Sequence, residues 1–237
     1  MKLNMGFVEI TASSPTNKDL EPYLSPTEFF DFNSSTIQEL LNTIDLDGLN
    51  ETEKAVKLFY FVRDLIRYSI KPVNLDPVTY TASHIAQQNS SFCIPKAILL
   101  GTLARAVGIP SRLHLVDFAN HRLAPELMGI WGTNVMAAHC YSELYLDGEW
   151  RKATPALDKG TCDKHGFRTV EFDGIHDGLL HQTDIKGNPH AEYVKDRGTF
   201  PDIDLALIKQ IWDDLYGSSD RTTSNMANVE IDNLTFK

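Results

Sequence analysis

Residues 91–112 read SFCIPKAILLGTLARAVGIPSR, and this stretch decides the fold. Pro95 fits the first turn of a helix that begins close to Cys93, because the N–H that proline lacks would have no partner there. Gly108 is typical of a helix C-terminus, and Pro110 prevents the helix from continuing. Between these ends an apolar face predicts packing in the core; its residues are Ile98, Leu99, Thr102, Leu103 and Ala106.

The segment after this helix predicts an antiparallel sheet. Residues 111–118 are rich in residues that favour strands, and residues 137–146 form a clear candidate strand. Asp147-Gly148 is a strong hairpin signal, so residues 149–154 are expected to return as the partner strand, with Leu146 facing Glu149.

The rest of the chain supplies mainly helices and loops. Asn50 and Glu53 form a capping-box pattern at the start of one helix, whose buried face is expected to hold Ala55, Leu58, Val62, Leu65 and Ile66. Helices are expected at residues 36–44 (with Ser34 or Ser35 as the cap), 51–68, 82–88 and 201–216, a short strand near 7–10, and mostly loop at 155–199. Because helices precede strands, we expect an α+β fold, with residues 1–217 as a single domain and 218–237 as a polar tail.

Composition excludes several classes of protein. The chain has 237 residues, of which 42% are hydrophobic and 23% charged, typical of a globular domain. Its formal charge of −10 disfavours nucleic acid and anionic membranes as partners. No apolar run is long enough to cross a membrane, and residues 1–10 do not resemble a secretory signal. The three cysteines therefore suggest free thiols in the cytoplasm.

Cys93 and His139 are the residues whose chemistry stands out. The unpaired N–H groups and the dipole at a helix start favour a thiolate, so we expect the pKa of Cys93 to be lowered. His139 lies on the predicted hairpin strand, and a cysteine nucleophile needs a histidine to accept its proton. We expect the side chain of His139 to point to the opposite face of the sheet from Ala138 and Cys140.

A third residue is expected to orient the histidine. The predicted hairpin places Ala156 opposite His139, with Thr154 and Asp158 as diagonal neighbours. Thr154 can form a hydrogen bond but carries no charge. Asp158 would stabilise an imidazolium better, although it falls near the end of the strand.

Three ordered motifs surround these residues. They are VRDLIRY at 62–68, then AS at 82–83 with SFC at 91–93 and LARAVGIPSR at 103–112, and finally HCYSELYLDGEWRKAT at 139–154. Together they closely resemble the transglutaminase-like superfamily over about residues 55–158. The EYV sequence at 192–194 is similar to a bacterial, uncharacterised branch of that family.

This resemblance implies a papain-like α+β core in which N-terminal helices, including the nucleophile helix, pack on an antiparallel sheet. It implies that Cys93 and His139 are a catalytic pair for acyl transfer or hydrolysis through a thioester, with a peptide, protein or small amide as substrate. No cofactor or metal is required by that scheme. Whether the enzyme is a protease, an amidase or a cross-linking transferase stays open.

The sequence departs from the family at one position. The family usually has Asp-Pro four residues after the tryptophan, and here Thr154 precedes Pro155. Thr154 could orient His139, Asp158 or Asp173 could substitute, or the site could have lost activity. The backbone N–H of Cys93 is a natural donor to an oxyanion. Gln87 lies six residues before Cys93, the offset of the oxyanion-hole glutamine in papain-like proteases, and Gln88 is an equal neighbour.

Two other functions are compatible with the sequence. The missing acid would also suit a non-catalytic binding module that retains the scaffold. A weaker alternative is a metal-dependent hydrolase that uses the histidine-rich stretch 165–190. His114, Asp117 and His121 are spaced loosely like metal ligands, but not with standard zinc spacing.

Overall fold

A computed structural model describes residues 17–70 and 74–217. The strand expected near residues 7–10 and the tail at 218–237 lie outside the described residues. The helices are α1 (Asn17–Leu20), α2 (Ser35–Asn42), α3 (Glu51–Leu65), α4 (Ala82–Ile85), α5 (Cys93–Ala106), α6 (Pro125–Trp131), α7 (Lys159–His165) and α8 (Leu205–Tyr216). The strands are β1 (Arg67–Tyr68), β2 (Ser90–Ser91), β3 (Ser111–Asn120), β4 (Val135–Leu146), β5 (Glu149–Ala153) and β6 (Ala191–Phe200). Short 3₁₀ turns lie at Glu21–Tyr23 and Pro77–Tyr80.

Helix α5 lies at the centre of the core. Every residue from its start to Arg105 is buried, so the helix is enclosed on all sides rather than on one apolar face. It packs on β3 and β4 on one side and on α3 on another. Ser142 on β4 donates a hydrogen bond of 2.7 Å to the carbonyl of Ala97, which fixes the helix to the sheet.

Two charged side chains of α5 are buried among backbone carbonyls. Lys96 Nζ donates to the carbonyls of Arg63 (2.8 Å) and Ile66 (2.5 Å), which lie at the C-terminal end of α3 and otherwise lack helical partners. Arg105 donates to Ser111 and to the carbonyl of Ser25. Burial lowers the pKa of Lys96 to about 7, and the cost of burying these two basic groups is offset by hydrogen bonds that join three parts of the chain.

The main sheet has four antiparallel strands in the order β5-β4-β3-β6. The hairpin register is as predicted: Leu146 pairs with Glu149, and pairing continues to Ser142 and Ala153. A helix-rich N-terminal part packed on an antiparallel sheet confirms the α+β class. Strands β1 and β2 form a separate parallel pair.

Residues 155–199 were predicted to be mostly loop, and this prediction is wrong. It contains α7 and the long edge strand β6, which pairs with β3 along its whole length. The pairing of β6 with β3 has two irregularities, and the middle of β6 is a run of exposed residues. Because polar and apolar residues therefore do not alternate regularly, the sequence pattern does not indicate a strand.

Helix boundaries also differ from the predictions. The capping box at Asn50 and Glu53 is confirmed, with both hydrogen bonds at 2.9 Å. That helix ends at Leu65 rather than at Tyr68, and Leu65 is 43% exposed instead of buried. The final helix starts at Leu205, where the Asp204 side chain caps it, and not at residue 201. Ser34 caps α2.

Within the part of the chain that the structure describes, no helix combines the length and apolar character needed to cross a membrane.

A substitution at Gly101 tests the packing of α5. An added Cβ would lie 2.7 Å from Cε1 of Phe30 and 3.1 Å from Oγ of Ser111, too close for either contact. We expect Gly101→Ala to lower the free energy of unfolding by about 1–2 kcal/mol, because overpacking outweighs the gain in helix propensity. Gly129→Ala in α6 is the matched control, since nothing lies within 4 Å of its added Cβ. Denaturant unfolding measures both; a Gly101→Ala protein as stable as the Gly129→Ala protein would contradict this packing.

Candidate active site

Cys93 is the first residue of α5. The preceding residue, Phe92, caps the helix without a side-chain hydrogen bond, so the first amides are free to face the thiol. The backbone N–H groups of Cys93, Ile94 and Cys140 all lie near Sγ and favour its anionic form. Because Cys140 follows His139 directly, the thiol lies beside the segment of β4 that carries the histidine.

The expected lowering of the Cys93 pKa is wrong. The thiol is only 9% exposed, and burial raises its pKa to about 11. The three backbone amides act in the expected direction, but they do not offset the loss of hydration. At neutral pH the side chain of Cys93 is therefore a thiol.

His139 lies in β4 opposite Val116 and is 4% exposed. The edge of its ring meets Phe118 with a centroid distance of 5.0 Å, and the ring of Tyr193 lies at 6.4 Å. Burial lowers the pKa of the imidazole to about 3, so the ring is neutral at physiological pH. Its Nε2 atom is buried and has no hydrogen-bond partner among the described residues.

Thr154 lies just beyond the end of β5, at the position where the family usually has an acid. Its Oγ1 atom is also buried without a hydrogen-bond partner among the described residues. Tyr193 is a neighbour of both side chains: its ring contacts that of His139, and its hydroxyl, whose pKa burial raises to about 12, is close to Thr154. Thr154 and His139 are thus both neighbours of Tyr193; the hydroxyl of Thr154 lies beside that of Tyr193, whereas His139 Nε2 has no partner among the described residues.

Asp158 is engaged elsewhere. Its carboxylate caps α7 by accepting hydrogen bonds from Thr161 N (2.9 Å) and Thr161 Oγ1 (2.6 Å), and it accepts a third from Tyr68 N (2.7 Å). Burial opposes its ionisation, but these hydrogen bonds outweigh that effect and lower its pKa. The structure does not bring Asp158 into hydrogen-bond contact with His139, because the chain has left the sheet and begun α7.

Asp173 is not brought to the site either. It accepts hydrogen bonds from the backbone of Ile175 (2.8 Å) and His176 (2.7 Å) and pairs with the ring of His176 in an exposed turn.

Gln87 is exposed and donates a hydrogen bond of 3.0 Å to the carbonyl of Ser83, one turn earlier. This contact directs its amide along its own segment rather than towards the thiol. The offset in sequence therefore does not reproduce the expected placement, because α4 ends at Ile85 and the side chain remains at the surface.

A set of tyrosines lies around the thiol that the sequence did not predict. Four of them have pKa values raised mainly by burial and further by the charge that Cys93 would carry; they are Tyr68, Tyr80, Tyr193 and Tyr216. The hydroxyl of Tyr80, a residue only 1% exposed, has no hydrogen-bond partner among the described residues. These residues come from four separate segments, and no local pattern unites them.

The loosely spaced set His114, Asp117 and His121 does not form a metal site. Each has its own partner: His114 bonds Glu143 (2.6 Å) and Asp196 (2.9 Å), Asp117 pairs with Arg197, and His121 bonds Glu192 (3.1 Å). Across the described residues, no group of three or more histidine, cysteine or acidic side chains is arranged to hold a metal ion, including the stretch 165–190.

Comparison with known proteins identifies the class. Residues 38–155, about half of the chain, match the model of the Transglutaminase-like superfamily. The chain thus carries a transglutaminase-like core, as its motifs predicted, and Cys93 and His139 both lie inside the matched range. No curated protein matches the chain.

A solved structure is also similar in part. It is a crystal structure of a protein from Cytophaga hutchinsonii that has been named as a candidate cysteine protease. The alignment covers 78% of this chain and 55% of that one, with 16% sequence identity and a TM-score of 0.46. This chain therefore spans little more than half the length of that protein.

The neutral, buried state of His139 makes a prediction for stability. Unfolding restores the ordinary imidazole pKa of about 6.5, so below that pH the unfolded state binds a proton that the folded state, with a pKa of about 3, does not. Stability should be retained above pH 6.5 and lost as pH falls towards 3, by up to about 1.4 kcal/mol per pH unit. His139→Phe should show a shallower loss in urea unfolding at pH 4–7. Parallel curves for the two proteins would contradict a buried neutral ring.

Proposed function

We propose that this protein catalyses cysteine-dependent acyl transfer or hydrolysis at a peptide or carboxamide bond, through a thioester on Cys93. The observation that carries the proposal is the position of the Cys93 thiol, at an uncapped helix start, against the amide of the residue after His139. This arrangement would supply a nucleophile and backbone donors beside the strand that carries His139.

The first step forms the thioester. Sγ of Cys93 attacks the carbonyl carbon while His139 accepts the thiol proton, and the carbonyl oxygen becomes an oxyanion. The backbone N–H of Cys93 is the proposed donor to that oxyanion. As the tetrahedral intermediate collapses, the C–N bond breaks, and His139 returns its proton to the departing amine.

The second step releases the acyl group. Water or an amine attacks the thioester carbonyl and gives its proton to His139, after which the C–S bond breaks and the thiolate recovers the proton. Water yields hydrolysis and an amine yields transfer. The same two residues serve both outcomes, so the entering nucleophile decides between hydrolysis and cross-linking transfer, and the substrate that the cleft accepts decides between protease and amidase activity.

The ground state of this pair is uncharged. With a pKa of about 11 for Cys93 and about 3 for His139, transfer of the proton before attack is strongly unfavourable. We therefore propose that the proton moves only as the S–C bond forms, with neutral His139 as general base.

Thr154 is the proposed orienting residue. The imidazolium that forms during attack needs an acceptor at its second nitrogen. His139 Nε2 lacks a partner among the described residues, and Thr154 Oγ1 is buried beside the hydroxyl of Tyr193 without a hydrogen bond of normal geometry. A hydrogen bond between them would satisfy both atoms when the charge develops. A hydroxyl stabilises an imidazolium less than a carboxylate does, so this site would be slower than one with an acid at position 154.

The proposed substrate is a peptide, a protein or a small amide. A formal charge of −10 makes nucleic acid and anionic membranes unsuitable partners. All three cysteines are buried free thiols, which supports the proposal of a reducing, cytoplasmic location.

A non-catalytic binding module is the second candidate. Two observations favour it: the position of the usual acid holds Thr154, and burial keeps Cys93 protonated at neutral pH. On this alternative the core would bind a partner without forming a thioester.

Alkylation of Cys93 by iodoacetamide distinguishes the two candidates. If neutral His139 assists attack, the rate constant should be nearly flat between pH 5 and 9, because neither group titrates in that window. In His139→Phe only the thiolate reacts, so the rate should fall by roughly 10²–10⁴ at pH 7 and then rise about tenfold per pH unit. Mass spectrometry separates Cys93 from the other two cysteines.

Phenylalanine keeps a buried aromatic ring at position 139 but has no nitrogen that can accept the thiol proton. Cys93→Ala should lose all turnover of peptide and carboxamide substrates while keeping its fold. Coincident profiles for the unaltered protein and His139→Phe would reject the catalytic pair and favour the binding module.

The role of Thr154 can be separated from its packing. Thr154→Val removes a buried hydroxyl whose neighbour is the hydroxyl of Tyr193 and which makes no hydrogen bond of normal geometry, so stability should change little. The alkylation rate constant should nevertheless fall by roughly 10-fold or more, because the imidazolium loses its acceptor. Asp158→Asn should do the reverse: its amide nitrogen cannot accept the hydrogen bonds that Tyr68 N and Thr161 Oγ1 donate to Oδ2, so stability should fall while the rate constant stays unchanged. A rate constant sensitive to Asp158→Asn but not to Thr154→Val would transfer the orienting role to Asp158.

A further inference from the structure

Strand β4 is irregular immediately before His139. Val116 of β3 pairs with His139 and Phe118 pairs with Met136, so two residues of β4, Ala137 and Ala138, lie opposite the single residue Asp117. Such a bulge bends a strand and changes the direction of the side chains next to it. Ala138 has a φ of +54°, in the left-handed region that a residue with a Cβ adopts at a cost.

A buried carboxylate holds this bulge. The N–H of Ala138 donates a hydrogen bond of 2.9 Å to Oδ1 of Asp117, which is 5% exposed. Arg197 in turn donates hydrogen bonds to both oxygens of Asp117, from Nε to Oδ1 (2.6 Å) and from Nη2 to Oδ2 (2.7 Å). This bidentate geometry fixes the orientation of the carboxylate.

Arg197 lies at a second bulge, in the pairing of β6 with β3. In β6, Asp196 pairs with Val116 and Gly198 pairs with Leu115, so Arg197 is an extra residue in the ladder. The following residue, Gly198, has a φ of +91° that glycine adopts without strain. Bulges in two strands that flank β3 therefore converge on Asp117.

Helix α8 holds the same bulge through Ala137. The hydroxyl of Tyr216 accepts a hydrogen bond from Ala137 N (2.6 Å) and donates one to the carbonyl of Val135 (2.9 Å). The indole N–H of Trp212 donates to the carbonyl of Ala137 (3.1 Å). Backbone groups that the ladder leaves free are thus bonded to side chains, and the bulge is secured by β3, β6 and α8 together.

We propose that Asp117, fixed by Arg197, is a positioning residue that holds Ala138 in its left-handed conformation and so directs the His139 ring towards Cys93. This role rests on the proposed function. Asp117 touches neither the thiol nor the imidazole by any hydrogen bond among the described residues; it acts through the backbone of the residue before the histidine.

The test measures alkylation of Cys93 by iodoacetamide from pH 5 to 9 in the full chain. Asp117→Ala removes the acceptor for Ala138 N–H, so the rate constant at pH 7 should fall by about tenfold or more and the profile should rise with pH, as in His139→Phe. Asp117→Asn keeps an acceptor oxygen and should retain more of the rate constant. Asp184→Ala is the matched control: it breaks a similar buried pair, with Arg122, far from the bulge in sequence, and should leave the flat profile unchanged.

Rescue separates positioning from general damage. Glycine adopts positive φ without a Cβ penalty, so Asp117→Ala combined with Ala138→Gly should regain part of the rate constant and of the flat profile. A folded Asp117→Ala protein with an unchanged flat profile would overturn the proposal. Equal losses in Asp117→Ala and Asp184→Ala, with no rescue by glycine, would also overturn it.

The experiment also covers the cases in which Asp117→Ala does not fold and in which the proposed function itself fails. If circular dichroism shows that Asp117→Ala does not fold, Arg197→Gln, which loosens the carboxylate without removing it, replaces that variant and must give the same loss. If the unaltered protein itself shows the profile of His139→Phe, the proposed function fails, and the positioning role falls with it. The unaltered protein alone shows whether the proposed function fails, and the Asp117 variants show whether the positioning role fails, so the two failures can be distinguished.

Discussion

The burial of helix α5 is the constraint on which the rest of the structure depends. Because the helix is enclosed by α3 and by β3 and β4, its two charged side chains must find carbonyl partners, and those partners fix the end of α3 and the N-terminal segment near residue 25. The same enclosure leaves Gly101 as a residue without room for a methyl group. It also removes Cys93, at the start of the helix, from water.

Burial outweighs the helix dipole at Cys93. A helix end stabilises a nearby anion by up to ~2 kcal/mol, whereas removing an ion from water costs several kcal/mol even after the protein relaxes. The pKa of Cys93 therefore rises although three amides face the sulfur, and the pKa of His139 falls for the same reason. Chemistry at this site has to begin from two neutral side chains, which makes the orientation of the imidazole more important than its charge.

Orientation is set by the least regular part of the sheet. The hairpin between β4 and β5 is ordinary, and its register follows from the turn alone. Four residues beyond Ser142, the last residue of β4 that pairs with β5, Ala138 adopts a left-handed conformation, and its N–H donates to the side chain of Asp117 instead of to a backbone carbonyl. Regular pairing fixes the position of β4 in the sheet. On the proposal above, the bulge, Arg197 and α8 fix the direction of the His139 side chain.

The sequence by itself determined the α+β class, the start of α5 at Cys93, the capping box at Asn50 and the hairpin register, because each depends on residues close together in the chain. It also determined the family, whose motifs are local. Only the tertiary structure decided the pKa values of Cys93 and His139, the surface position of Gln87, the capping role of Asp158 and the existence of β6. These depend on burial and on partners distant in sequence, and no local pattern records either.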